Sequence, residues 1–208
     1  MRWRDSVGLS EEDTVKWKSY KKHWLSLTTT TNEKVEQWYA LQTYYAQELK
    51  VGHYLEKHRL HFFIPMMYSF DATSDDEPRR HQHPVVHNLI FIERTVSDTD
   101  LLAVLKECPY SVRIYTYPNE QRWQVIPAQD ILELRMICDN SFVEPQFISQ
   151  QESELKIGRM VQVVHGPMKG ITGKLVRKNK KYYIVKSFVG LGVMVSVSRW
   201  CCEELLQE

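Results

Sequence analysis

Two rhythms of apolar and polar positions run along this chain, and they change over near residue 150. Trp38–Thr43 (WYALQT) is rich in aromatic and apolar residues and predicts a strand. Tyr45–His58 has no proline and brings Glu48, Val51 and Leu55 round at helical spacing, which predicts a helix. His61–Met67 (HFFIPMM) predicts a second strand, bent or placed at an edge by Pro65. Phe70–Pro84 is polar, with Asp75, Asp76 and Glu77 facing Arg79 and Arg80 across Pro78, and predicts an exposed hairpin or loop. Val85–Arg94 predicts a third strand. Ser97 with Asp100 has the spacing of a capping box. Behind it Leu101, Val104, Leu105 and Cys108 repeat at i, i+3, i+4, i+7 until Pro109 ends the helix. Val112–Tyr117 predicts a fourth strand, and Ala128–Ile137 a last helix entered through Pro127. This alternation predicts an α+β sandwich, a sheet with helices packed on one face.

The C-terminal stretch keeps only the strand rhythm. Met160–Val164, Gly173–Arg177, Tyr182–Lys186 and Val193–Val197 are short apolar runs separated by Gly166-Pro167, Asn179-Lys180 and Gly190-Leu191-Gly192. Four or five strands in so short a segment predict a small closed β-barrel, which removes free strand edges. Its glycines and Pro167 oppose any helical rearrangement. Residues 140–154 (NSFVEPQFISQQESE) read as a polar linker. Residues 1–35 combine a partly helical spacing of Val15, Trp17, Tyr20 and Trp24 with the helix-poor run Thr28–Asn32, and read as an N-terminal extension. The organisation is therefore 1–35 extension, 36–139 α+β domain, 140–154 linker and 155–208 β domain.

Charge sharpens that boundary. The 208 residues carry a net charge of only +1. Residues 36–139 hold 10 Lys+Arg against 15 Asp+Glu, whereas residues 155–208 hold 10 against 3. No window approaches the ~18 consecutive apolar residues of a membrane helix, and the basic start MRWRD has no apolar run behind it, so neither a membrane span nor a secretory signal is expected. The four cysteines, Cys108, Cys138, Cys201 and Cys202, have no CxxC spacing, which points to a reducing cytoplasm rather than a disulfide framework or a zinc ribbon.

Two segments resemble a known family. Gly158–Arg177 (GRMVQVVHGPMKGITGKLVR) resembles a KOW motif, in which glycines serve turns and close strand crossings. QWYALQTYYAQELKVGHYLEKHRLHFFIPMM resembles the opening of the NusG N-terminal (NGN) domain. In this order the two identify residues 37–208 as similar to the NusG family of transcription elongation factors. Val86-His87-Asn88-Leu89-Ile90-Phe91 stands where such chains usually have Phe-Pro-Gly-Tyr, and the Asn in place of that Gly resembles the RfaH and UpxY antiterminators, the latter serving capsular polysaccharide operons. Tyr115–Trp123 (YTYPNEQRW), leading to Val125-Ile126-Pro127, is also similar to UpxY chains.

The resemblance implies a monomeric, non-enzymatic factor that binds the clamp helices of the largest RNA polymerase subunit and suppresses pausing and premature termination. The matching residues are Tyr39, Gln42, Tyr45, Val86, Leu89 and Phe91, of which Leu89 and Phe91 share one strand face. It also implies that a ribosomal protein or Rho reads Met168, Ile171, Phe188 and Val189. Lys50 and Lys57 are candidates for contact with non-template DNA. Lys174, Arg177, Lys178, Lys180 and Lys181, beside Tyr182 and Tyr183, are the candidates for contact with nucleic acid, the nascent RNA included.

No catalytic constellation is present: there is no nucleophile elbow, phosphate-cradling glycine loop or spaced acid pair. His81, His83 and His87 lie beside Arg79 and Arg80 without a Cys or carboxylate at ligand spacing, so no metal or other cofactor is expected. Cys201 and Cys202 are expected to pack beside Trp200. The competing reading is a KOW-bearing ribosome- or RNA-binding protein acting in translation, against which the N-terminal α+β domain counts.

Overall fold

The strand Gln37–Thr43 (β1) is apolar on both faces, and it takes the central place in the first sheet. In the computed structural model, which describes residues 37–70, 80–139, 144–166 and 168–205, β1 pairs antiparallel with Leu89–Glu93 (β5) in the register Ala40↔Phe91 and Leu41↔Ile90. Phe62–Phe63 (β2) flanks β5. Val112–Ile114 (β6) and Val125–Pro127 (β7) share the other edge of β1, one beside Leu41–Thr43 and the other beside Gln37–Tyr39. Met66–Phe70 (β3) and Arg80–Pro84 (β4) form a separate hairpin. The expected N-terminal extension, residues 71–79 of the expected loop, and Pro167 lie outside the described residues.

Strand alternation divides the first sheet's side chains into two sets. Tyr39, Leu41, Ile90 and Ile92 face Val51 and Leu55 of helix α1 (Glu48–Lys57) and Leu101 and Leu105 of helix α2 (Asp98–Lys106). Ser97 caps α2, its Oγ accepting from the Asp100 backbone N–H at 3.2 Å. Trp38, Ala40, Leu89 and Phe91 face the opposite way, toward Ile131, Leu134, Ile137 and Cys138 of helix α3 (Ala128–Asp139). Helices therefore cover both faces, not one: the second set is as apolar as the first and needs its own cover.

Local backbone geometry trims the predicted elements. Tyr45 and Ala46 adopt φ of 58° and 51°, so α1 starts at Glu48. Pro65 splits the expected His61–Met67 strand into β2 and β3. Asn88, at φ 65°, delays the third strand to Leu89.

The C-terminal strands Arg159–Val163 (β9), Thr172–Lys178 (β10), Lys181–Phe188 (β11) and Leu191–Val197 (β12) match the four predicted runs. Two further short strands, Gln146–Ile148 (β8) and Cys202–Glu204 (β13), extend them to an antiparallel sheet of order β13-β9-β10-β11-β12-β8. Among the described residues no pairing joins β13 to β8, so the expected closed barrel is instead an open sheet. Its two edge strands are three residues each, short enough to blunt the edges without closure.

Part of the expected linker carries structure: it supplies β8 and the helix α4 (Gln150–Leu155). Ser149 caps that helix, and the buried Ser153 bonds Ser187 Oγ at 2.7 Å. Gly192 makes room for it, since a Cβ there would lie 2.5 Å from Ser153 Cβ. Polar composition concealed these contacts because they are made by serine hydroxyls and by the absence of a side chain.

The two sheets are not independent. Val161, Val163, Met168, Ile171, Ile184, Phe188, Leu191, Val193 and Val195 join Leu89, Phe91 and the α3 residues in one apolar cluster. Residues Glu36–Glu208 accordingly form one compact unit.

Candidate functional site

The expected polymerase-binding residues fall in three different environments. Tyr39 points to the helix side and is core. Its hydroxyl donates to Asp98 Oδ1 at 2.9 Å, its ring meets Trp123 edge-on with centroids 5.2 Å apart, and Arg94 lies over it at 5.8 Å. Burial first, then the hydrogen bond to Asp98, pushes its phenol up to about 12. A side chain so enclosed by its own module is not available to a partner. The register Tyr39↔Ile92, set against Ala40↔Phe91, assigns it to the opposite face from Phe91.

Leu89 and Phe91 do share a face, as their spacing required, and both are fully buried there. Their cover includes the C-terminal sheet. The turn at Gly190 (φ 78°) comes so close that a Cβ would stand 3.1 Å from Leu89 Cδ1 and 3.1 Å from Tyr115 Oη. Gln42, opposite Leu89 in the ladder, is half-buried, and Val86 packs at the margin of the same cluster.

Tyr45 lies apart from these, 89% exposed on a left-handed turn. That turn is held by polar groups. Asn88 Oδ1 accepts from the Ala46 backbone N–H at 2.9 Å, and the buried Glu48 carboxylate meets His87 Nδ1 at 2.8 Å and the Asn88 N–H at 3.3 Å. Burial pushes the Glu48 carboxyl up. The hydrogen bonds from His87 and from backbone N–H groups outweigh it, leaving the group below its ordinary value.

Met168, Ile171, Phe188 and Val189, the expected C-terminal partner site, are all buried in the cluster that holds Leu89 and Phe91. Leu89 and Phe91 of the one expected protein-binding surface thus meet all four residues of the other in one shared core.

A polar bolt fixes that core on one side. Glu133 on α3 is 2% exposed, and Lys186 on β11, 14% exposed, donates from Nζ to its Oε2 at 2.7 Å. Asp130 lies 2.9 Å from the same Nζ. Gln129 Nε2 and the Thr172 backbone N–H also donate to the Glu133 carboxylate, at 3.1 and 3.3 Å. With three donors the buried charge is satisfied. Sequence reasoning passed over this pair, although a signal was present. Lys186 is in phase with Ile184 and Phe188 on an inward strand face, and Glu133 stands one turn from Ile137 on the apolar stripe of α3.

The expected nucleic-acid residues separate too. Lys50 and Lys57 are exposed on α1. Lys174 is held at the Glu154 carbonyl, to which its Nζ donates at 2.9 Å. Arg177, Lys178, Lys180 and Lys181 are exposed around the β10–β11 turn.

Burial pushes the Cys138 thiol up to about 12 and raises that of Cys202, away from the thiolate form. Cys202 is buried in the shared core and Cys201 packs against it, while Trp200 is largely exposed, its ring 6.1 Å from that of His165. Among the described residues no three His, Cys, Asp or Glu side chains come together as a metal site, and no helix is long and apolar enough to cross a membrane.

No curated protein matches the chain. The stretch that holds the first sheet and its helices does match a family model: residues 36–135 are similar to the family described as Transcription termination factor nusG.

Proposed function

We propose that the protein is a NusG-like transcription antitermination and processivity factor. It binds elongating RNA polymerase, without chemical catalysis, through the face of β1 and β5 that carries Ala40, Gln42, Leu89 and Phe91, with Val86 at its rim. The family match over residues 36–135 carries this reading. The division of the first sheet into two apolar faces supports it, because only the helix-side face serves the module's own core alone. Docked on the clamp helices of the largest subunit, the module bridges the cleft and disfavours clamp opening, and with it the paused states that precede termination.

While the C-terminal sheet, taken here as the KOW module, sits on Leu89 and Phe91, polymerase and that sheet compete for one surface. A ribosomal protein or Rho that reads Met168, Ile171, Phe188 and Val189 needs the same uncovering. In this reading the protein works as a monomer in the cytoplasm. The UpxY-like run Asn88-Leu89-Ile90-Phe91 points to a capsular polysaccharide operon as its target.

The test is capture of the full-length chain by core RNA polymerase. Lys186→Glu sets a like charge against Asp130 and Glu133, loosens the cover and is expected to raise capture. Leu89→Asp in that background is expected to abolish it. Gln42→Arg, at the half-buried edge of the same face, gives the same loss whether or not Leu89→Asp folds. No capture by any folded variant, or capture indifferent to both charges, would refute the reading and favour a role in translation.

A further inference from the structure

We propose that the tip of the β10–β11 hairpin is a binding site for a single-stranded polynucleotide. Arg177, Lys178, Lys180 and Lys181 stand within one tight turn and its first two cross-strand pairs, Lys178↔Lys181 and Arg177↔Tyr182. Among the described residues none of the four cations meets a carboxylate within salt-bridge distance, although nine other Lys, Arg and His side chains along the same unit do so. The tip is also built against its own stability. Asn179 and Lys180 have φ of 51° and 63°, the two left-handed residues of a type I′ turn. Glycine suits the second of these positions best, and a lysine there is strained. Lys178 directly opposite Lys181 adds a like-charge pair that destabilises a ladder. A sequence that keeps cations at such positions gains from a polyanion what it gives up in the free hairpin.

Aromatic groups give the site its second chemistry. The Arg177 guanidinium lies 5.6 Å over the Tyr182 ring, and Tyr183 follows on the opposite face of the strand. Cations for phosphates beside rings on which unstacked bases can lie is the combination that selects a single strand over a duplex. RNA and DNA strands share that chemistry.

The site remains open in the closed protein. The base of the same hairpin is pinned to α3 through Thr172 and Lys186. The tip, at Asn179-Lys180, lies about 20 Å farther along the strands at ~3.3 Å per residue. Strand binding at this tip needs no polymerase.

Fluorescence anisotropy of the full chain with oligo-U and oligo-dT of about 12 nucleotides, and with a duplex of equal length, measures it. Single strands are expected to bind more tightly than the duplex, and the stronger of the two identifies whether RNA or DNA is the source. Replacing Lys178, Lys180 and Lys181 together by alanine should flatten the dependence of log K on log salt by about 2, at ~0.7 per phosphate released. The corresponding triple arginine variant should keep the slope. Tyr182→Leu should weaken single-strand binding roughly tenfold. A duplex or polyglutamate bound as tightly as the single strands would overturn the proposal. So would an alanine variant that melts like wild type yet keeps the slope.

Discussion

Lys186→Met isolates the interaction that fastens the C-terminal sheet to α3. The lysine is 14% exposed and its partner Glu133 is 2% exposed, with 2.7 Å between Nζ and Oε2. Removing one member of a pair so enclosed leaves the other charge buried, a loss of about 3–5 kcal/mol. Glu133 would keep its bonds from Gln129 Nε2 and the Thr172 N–H, which places the expected loss near the lower end, at about 3 kcal/mol. Asp130, itself a third exposed, adds little because water screens it. Replacing both partners, as Lys186→Met with Glu133→Leu, removes the stranded charge; the exposed Gln129 amide turns to water and only the Thr172 N–H is left short of an acceptor. That double variant should lose about 1–3 kcal/mol, well below the sum of the two singles. Urea unfolding of the four proteins in one cycle measures it, with equal slopes on denaturant required for the comparison. A double variant as destabilised as the sum of the two singles would mean that the pair is not coupled, and the bolt would be refuted.

Two further outcomes follow from the packing. Tyr39→Phe loses the hydrogen bond to Asp98 and should cost about 1 kcal/mol at neutral pH. Because the folded phenol is raised from 10.0 to about 12, the unfolded chain loses its proton first. Wild-type stability then falls between about pH 10 and 12, by roughly 2 kcal/mol on this account. The Phe variant should overtake wild type in urea unfolding within that window, and parallel profiles would contradict the assignment. Gly192→Ala places a Cβ 2.5 Å from Ser153 Cβ and 2.8 Å from the Ser149 carbonyl oxygen. It should cost about 1–3 kcal/mol and speed amide exchange in α4, with Ser153→Gly restoring part of the loss.

Where one physical rule dominates, the sequence was easily read. The Ser97 cap and the i, i+3, i+4 spacing of Leu101, Val104 and Leu105 in α2 needed no tertiary information, and neither did the β-branched runs of β9 to β12. Register was the first thing it could not supply. Tyr39, Leu89 and Phe91 look alike as apolar strand residues, and only the pairing Tyr39↔Ile92 assigns the tyrosine to the helix side while Leu89 and Phe91 face the C-terminal sheet. Long-range partnership was the second. Fifty-three residues separate Lys186 from Glu133, and a buried ion pair leaves no local pattern beyond a charge in phase with its apolar neighbours. The third was the expected linker, where Ser149 and Ser153 build α4 through contacts that polar composition hides.

The way β8 and α4 are stitched onto the C-terminal sheet leaves little slack between the two halves. Helix α3 ends at Asp139 and β8 begins at Gln146, so the ends they join can stand no more than about 25 Å apart. A sheet that lets go of Leu89 and Phe91 can swing aside but cannot drift off, and it returns against an effective local concentration on the order of millimolar. Any rival for that face must either hold it more tightly than this resident neighbour or give the released sheet something else to hold.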